Sequence, residues 1–200
     1  DLYYLLSPYY LLKEDNDTKA VKMNSAFYNE LLYIMGLGEV VEGNSKTKYI
    51  RRLSESKRKE GSLVENVISF IKSHGMVSKL TKFYGDKSED DMIFSTALNL
   101  AITWVNRILF LKLLEGQLLY FHKNDKKYKF FDTDRNIADN EITYDDIDDL
   151  FFYVLNVPEA KREKIFSRKF SMVPYLNSSL FEPADMEKEI MFVGNLNQNF

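Results

Sequence analysis

Two Glu-x-Lys triplets, Glu55-Ser56-Lys57 and Glu159-Ala160-Lys161, come nearest in this chain to hydrolytic chemistry. A metal-dependent nuclease holds Mg²⁺ on an Asp and a second carboxylate, and a Lys two residues past the Glu commonly positions the attacking water. Neither triplet lies in an apolar strand. Glu55 sits in a basic run and Glu159 follows Pro158 in a polar one, so both read as chance occurrences. His74 and His122 each lack a second His three or four residues away, which argues against a metal site. The absence of cysteine removes disulfides, thiolate zinc sites and cysteine nucleophiles, and suits a reducing cytoplasm. No serine stands in a nucleophile-elbow pattern. Methyl transfer to adenine needs a glycine-rich turn for the methyl donor and an Asn-Pro-Pro-aromatic loop for the flipped base. There is no Pro-Pro pair, and Phe192-Val193-Gly194 is followed by Leu196 where a second Gly would stand. No catalytic, cofactor-binding or metal-ligating residue is therefore assigned.

Three features remain. From Asn44 to Gly61 the chain carries seven Lys/Arg against two Glu, a balance of +5. Read as a helix over Ser45–Glu60, this run sets Lys48, Arg51, Arg52, Arg58 and Lys59 within roughly a 120° arc, with Glu55 in the same arc. These five are the candidate DNA-backbone contacts; a solvated charged face is the bland reading. In a central apolar helix, Asn99, Thr103, Asn106 and Arg107 form a polar stripe, expected to be an internal hydrogen-bond network locking helices together. Arg107 in particular is expected to be buried and paired with an Asp or Glu of another helix. Last, Tyr175-Leu176-Asn177 lies between Pro174 and Pro183. It reads either as a loop facing a ligand or, preferably, as a rigid plug with Tyr175, Leu180 and Phe181 buried and Asn177 bonding the backbone of its own turn.

The elements that must position these groups are mostly helical. Lys19–Met35 has helical apolar spacing and ends at Gly36 and Gly38, followed by a turn over 40–44. Ser62-Leu63-Val64-Glu65 and Thr143-Tyr144-Asp145-Asp146 match capping boxes. Ser88-Glu89-Asp90-Asp91 opens a long helix running to about Leu119, with acids at the positive end of its dipole. Tyr120–Phe131, with a polar tip at Asn124-Asp125, reads as a small β-hairpin, a helix end plus loop being nearly as good. Ile190–Val193 is a candidate strand. The expected fold class is mainly α: an irregular multi-helix domain with a small β-hairpin and a candidate C-terminal strand. It is divided into an arm over 1–18, a helical domain over 19–172, and a loop and strand over 173–200.

Composition agrees. Two hundred residues with 45% hydrophobic content, 15 Phe and 13 Tyr can bury a core and are not a disordered chain. The longest apolar stretch, Leu98 to Leu119, is interrupted by Asn99, Asn106, Arg107, Lys112 and Glu115, so it reads as a core helix rather than a membrane span. Asp132 to Asp149 has eight acids against one Arg. A net charge of −3 spread this unevenly excludes a uniform nucleic-acid coat and leaves room for a local basic face.

Three blocks of this sequence resemble type IIG-like restriction–modification enzymes, in the same order. The first is Tyr28 to Gly38 with Ile50-Arg51-Arg52 and Gly61-Ser62-Leu63-Val64-Glu65-Asn66. It is similar to the segment that follows the nuclease portion. The second, Val105 to Glu115, looks like the Asn-Arg-containing apolar helix of those enzymes. The third joins Asp148-Asp149-Leu150-Phe151-Phe152 to Val173-Pro174-Tyr175-Leu176-Asn177-Ser178-Ser179-Leu180-Phe181, which resembles the stretch just ahead of their adenine-methyltransferase core. The resemblance implies a parent that cleaves DNA and methylates adenine, using Mg²⁺ and S-adenosylmethionine held elsewhere. It also implies DNA and the adjoining nuclease and methyltransferase domains as partners, a cytoplasmic location and no membrane. On it, this chain is expected to be a non-catalytic helical connector. The alternative expectation is a stand-alone protein-interaction module without nucleic-acid binding.

Overall fold

The computed structural model describes residues 24–41, 47–129 and 144–191, with side chains from 147 onward in the last stretch. Helix α1, Ser25–Met35, starts where the Asn24 side chain accepts from the Ala26 N–H and stops at Gly36. Residues 19–23, which belong to the helix expected from sequence, lie outside the described residues. Gly36 has φ +78, and a β-carbon there would run into the Ser62 side chain. Glycine is therefore required by backbone conformation and by space together.

The chain then forms a two-stranded antiparallel hairpin, β1 Leu37–Val41 and β2 Lys48–Arg52, in register from Leu37↔Arg52 to Val41↔Lys48. This corrects the sequence reading in two places. Ser45–Glu60 is not a helix: its described part is β2 followed by a single 3₁₀ turn, Glu55–Lys57. Val40 and Val41 are strand rather than turn, and 42–44 lie outside the described residues. The physical reason is local. Val40-Val41 and Tyr49-Ile50 prefer extended backbone, and pairing satisfies their N–H and C=O groups along one edge of each strand.

Helices α2 (Leu63–Ser73) and α3 (Val77–Tyr84) follow, and then α4 runs for 33 residues, Glu89–Phe121. At 1.5 Å per residue α4 is about 50 Å long. Ser88 caps it by accepting from the Asp91 N–H, and Glu89, Asp90 and Asp91 occupy its first turn. The Ser62 capping box does not form. Ser62 Oγ donates to the Lys59 carbonyl, and Glu65 is taken by Arg52. Nor is there a hairpin at Tyr120. The helix continues to Phe121, Lys123 and Asn124 take left-handed conformations, and one 3₁₀ turn, Lys126–Tyr128, follows with the His122 ring stacked on Tyr128. Phe130 and Phe131 lie outside the described residues, as does Thr143 of the second capping box.

Helix α5, Tyr144–Asp149, widens into a π-helical turn over Leu150–Leu155. Helix α6 is Lys164–Lys169, a 3₁₀ turn covers Ser179–Phe181, and α7 is Asp185–Glu189. The fold is thus mainly helical with one two-strand antiparallel hairpin. The strand expected over Ile190–Val193 has no strand geometry at Ile190 or Met191, and 192–193 lie outside the described residues.

Two apolar clusters share α4. Leu32, Met35, the inward face of α2 and Leu80 pack on Met92, Ile93, Ala97, Leu100, Ala101 and Trp104, with Ile190 and Met191 closing the group. Leu111 joins Leu150, Phe151, Val154, Leu155, Phe170, Val173 and Phe181 in the second, and Ile108 packs against both. By length and composition α4 is the one helix among the described residues able to cross a membrane. Its inward face instead supplies both clusters, and its middle carries a buried ion pair.

Candidate functional site

That ion pair takes part in five hydrogen bonds among the described residues. The pairing expected for Arg107 is present, and its partner is Glu187 of α7. Nη1 donates to Oε1 at 2.6 Å and Nη2 to Oε2 at 2.9 Å. Nε donates to the Leu180 carbonyl at 2.6 Å, and Nη2 also reaches the Glu182 carbonyl at 3.1 Å. Glu187 Oε2 accepts in addition from the Ala184 N–H at 2.8 Å, the backward reach of a capping glutamate. Both side chains are sealed, at 1% and 0% exposure. The rings of Phe151 and Phe152 lie 5.6 and 5.3 Å from the guanidinium carbon. The two are neighbours in sequence; the wider π-turn that carries them rotates less per residue than an α-helix and so turns both towards one cation. Bidentate geometry, filled acceptors and two aromatic faces supply what a buried charge pair requires.

The other members of the expected stripe do not join it. Asn99 and Asn106 are exposed, and Thr103 donates to the carbonyl of Asn99 in its own helix. Stripe and core face diverge because Arg107 is rotated about 100° from Asn106 around the helix. The plug reading of the Tyr175 stretch needs correction too. Phe181 is fully buried, but Tyr175 and Leu180 are half-buried. Asn177 is exposed at φ 41, and its Oδ1 accepts from the Tyr175 hydroxyl at 2.8 Å rather than bonding the backbone. Ser178 does that instead, its Oγ accepting from the Leu180 N–H.

Among the buried polar groups that escaped the sequence reading are Glu187 and Arg162. Glu187 stands three residues after Ala184, but alanine is a poor N-cap and leaves no capping signal in the sequence. Arg162 lies in the polar run 159–164 and has no signal either. It is buried, donates from Nε to the Val157 carbonyl and from Nη1 to the Val173 carbonyl, and its Nη2 has no partner among the described residues. Burial holds its guanidinium below the ordinary arginine range, with Glu159 opposing.

The basic segment has a geometry other than the single arc expected. Lys48 and Arg52 share one face of the hairpin with Glu39, and Arg51 lies on the other, across from Gly38. Lys48 Nζ is 2.6 Å from Glu39, which also accepts from the Tyr28 hydroxyl. Hydrogen bonds from these two hold the Glu39 carboxyl below its usual range, and the same bond raises Lys48. Arg52 grips Glu65 with Nε and Nη2 at 2.7 and 2.6 Å, and that hydrogen bonding raises its already high pKa. Arg58 donates to the Leu53 carbonyl, and Lys59 bonds the Tyr33 hydroxyl while lying over its ring. The cations are therefore spread from Lys48 at the loop end of the hairpin to Arg52 at its base and on to Arg58 and Lys59, with Arg52 tied to α2 and Lys59 to α1.

Both Glu-x-Lys triplets fall on exposed 3₁₀ turns. Among the described residues no three His, Asp or Glu gather as metal ligands. His74 is stacked on Phe70. An open polar cleft of about 600 Å³ lies between the hairpin's exit and α2, lined by Glu60, Gly61, Glu65, Asn66 and Ser69. Its Glu65 is already committed to Arg52.

A family model described as Domain of unknown function (DUF7814) matches residues 20–200. No curated protein and no solved structure matches the chain.

Proposed function

We propose a role for the chain from the premise that it belongs to the family described as a domain of unknown function, DUF7814: it is a non-catalytic helical connector that holds neighbouring parts of a restriction–modification enzyme at a fixed separation and touches the DNA backbone through its basic hairpin. The observation that carries the reading is the Arg107 clamp. It fastens a helix about 50 Å long to the Leu180–Glu187 segment through four hydrogen bonds from Arg107. A rod shared by two cores and pinned at its middle suits a spacer. On this reading cleavage and adenine methylation, with their Mg²⁺ and S-adenosylmethionine, belong to neighbouring domains, and the setting is cytoplasmic. The three-block resemblance supports that assignment.

DNA contact follows from Lys48, Arg51, Arg52, Arg58 and Lys59 around the hairpin. Phosphates would have to compete with Glu39 and Glu65, so binding is weak, independent of sequence and steep in salt. Titrating a fluorescent duplex at several salt concentrations checks this. The variant Lys48→Ala/Arg51→Ala/Lys59→Ala spares the half-buried Arg52–Glu65 pair. It is expected to weaken binding to every duplex alike and to reduce the salt slope by about 0.9 for each phosphate contact removed. Unchanged affinity and slope would remove DNA from the proposal. The connector itself is tested by translating the reading frame beyond Phe200. A glycine-rich turn followed by Asn-Pro-Pro-aromatic supports it, and a methyltransferase-free continuation overturns it.

A further inference from the structure

The outward face of α4 has a pattern that its own domain does not use. Asn99, Ile102, Asn106, Leu109, Leu113, Gly116 and Tyr120 are spaced alternately three and four residues apart, and all seven are exposed. Leu113 is 68% exposed and Tyr120 78%. The opposite face, with Leu100, Trp104, Arg107 and Leu111, is buried. Alternating 3–4 spacing over three heptads is the seam of a two-stranded coiled coil. Asn99, Asn106, Leu113 and Tyr120 fall at a positions; Ile102, Leu109 and Gly116 fall at d.

We propose that this seam is a homotypic interface, on which the α4 helices of two copies of the chain pack in parallel, in register at Asn106. Four observations point to a second copy. The seam has no charged residue, and of the residues flanking it between Asn99 and Tyr120 only Lys112 is charged; in a parallel pair Lys112 faces Gln117 of its partner helix, so no like charges meet. Asn106 has no side-chain partner among the described residues. Asparagine at a meets its own equivalent in a parallel dimer, where the two amides bond each other and fix register and strand number. Gly116 is a poor residue for an exposed helix interior. A β-carbon on it would meet nothing within 4 Å of its own domain, but a facing backbone could come close. The area is also adequate. Ile102, Leu109, Phe110, Leu113 and Tyr120 together expose roughly 500 Å² per copy if each full side chain carries about 200 Å². The asparagines, Gly116 and Gln117 bring this towards the about 800 Å² per partner of a specific interface.

The proposal is independent of the connector reading and of DNA. Its test uses the absence of native cysteine. Asn106→Cys is made in the full chain, with Ser78→Cys, exposed on α3, as the off-seam control. Sedimentation analysis should find a dimer. Under mild oxidation Asn106→Cys should cross-link about 1,000-fold faster than the control, because the dimer holds the two thiols at millimolar rather than micromolar effective concentration. Leu113→Glu, at an exposed site where circular dichroism should find the fold intact, should raise the dimer Kd by about 100-fold through facing like charges. A monomer at all concentrations, with equal cross-linking at both sites, overturns the proposal and gives the seam to another segment or another protein. A dimer that ignores Leu113→Glu, or one that Leu113→Glu disrupts but Asn106→Cys does not cross-link, overturns the proposed seam or its parallel register.

Discussion

Replacing Arg107 with alanine is expected to lower the free energy of unfolding by about 3–5 kcal/mol, read from urea denaturation of the full chain. The loss comes less from the bonds removed than from what they leave behind. Glu187 is fully buried, and without the guanidinium its charge has only the Ala184 N–H. The part-buried carbonyls of Leu180 and Glu182 lose their donor as well and must turn to water. Arg107→Lys should rescue little, since an ammonium cannot span two carboxylate oxygens and two carbonyls in one plane. Removing both charges differs in kind. Arg107→Met with Glu187→Leu is expected to recover most of the stability, because an apolar pair of similar volume escapes the desolvation cost. A single-variant loss below about 1 kcal/mol, the range of solvent-exposed pairs, would show that the clamp is absent in solution.

Phe181→Ala is expected to cost about 3–5 kcal/mol, the range for deleting a buried aromatic side chain. Phe181 is the fully buried end of the Pro174–Phe181 stretch, with ring centroids 5.6 Å from both Phe110 and Phe151. The void would open beside the carbonyl of Leu180 that Arg107 uses, so the two losses should couple. Adding Arg107→Ala to Phe181→Ala should cost less than the two single losses together. Thermal unfolding of the four proteins measures that coupling. Strict additivity, or a Phe181→Ala loss under about 1 kcal/mol, would detach the stretch from the second cluster.

Residues that had to be buried were the legible ones. The acidic start at Ser88–Asp91 and the apolar stretch from Leu98 to Leu119 set out α4, and the surroundings of Arg107 announced a buried charge in need of a carboxylate. Which carboxylate was not legible, because Glu187 lies 80 residues away on a five-residue helix with no apolar periodicity. The hairpin was misread for a related reason. Lys48-Tyr49-Ile50-Arg51-Arg52 has no apolar alternation of its own, and its strand form is settled only by Leu37–Val41 lying beside it. Strand pairing is a non-local fact that a helical wheel cannot register. Glu65 misled in the same way, serving Arg52 instead of its own helix start. At Asn106 the expected internal network failed because a polar stripe does not say which side of it faces inward.

The clamp also has a consequence for how the chain is made. Arg107 leaves the ribosome 80 residues before Glu187, a delay of about 4–16 s at 5–20 residues per second. Throughout that interval its guanidinium must stay hydrated, so the middle of α4 cannot seal, and the long apolar helix is held half-open beside a crowded exit tunnel. The last turn of the described structure is therefore the latch on the longest apolar helix among the described residues. Nascent chains arrested shortly before Glu187 should be cut by protease within α4, and chains extended past Met191 should resist. Chaperone capture during synthesis would fall in the same window, timed by the distance between two charges rather than by any loop or domain boundary.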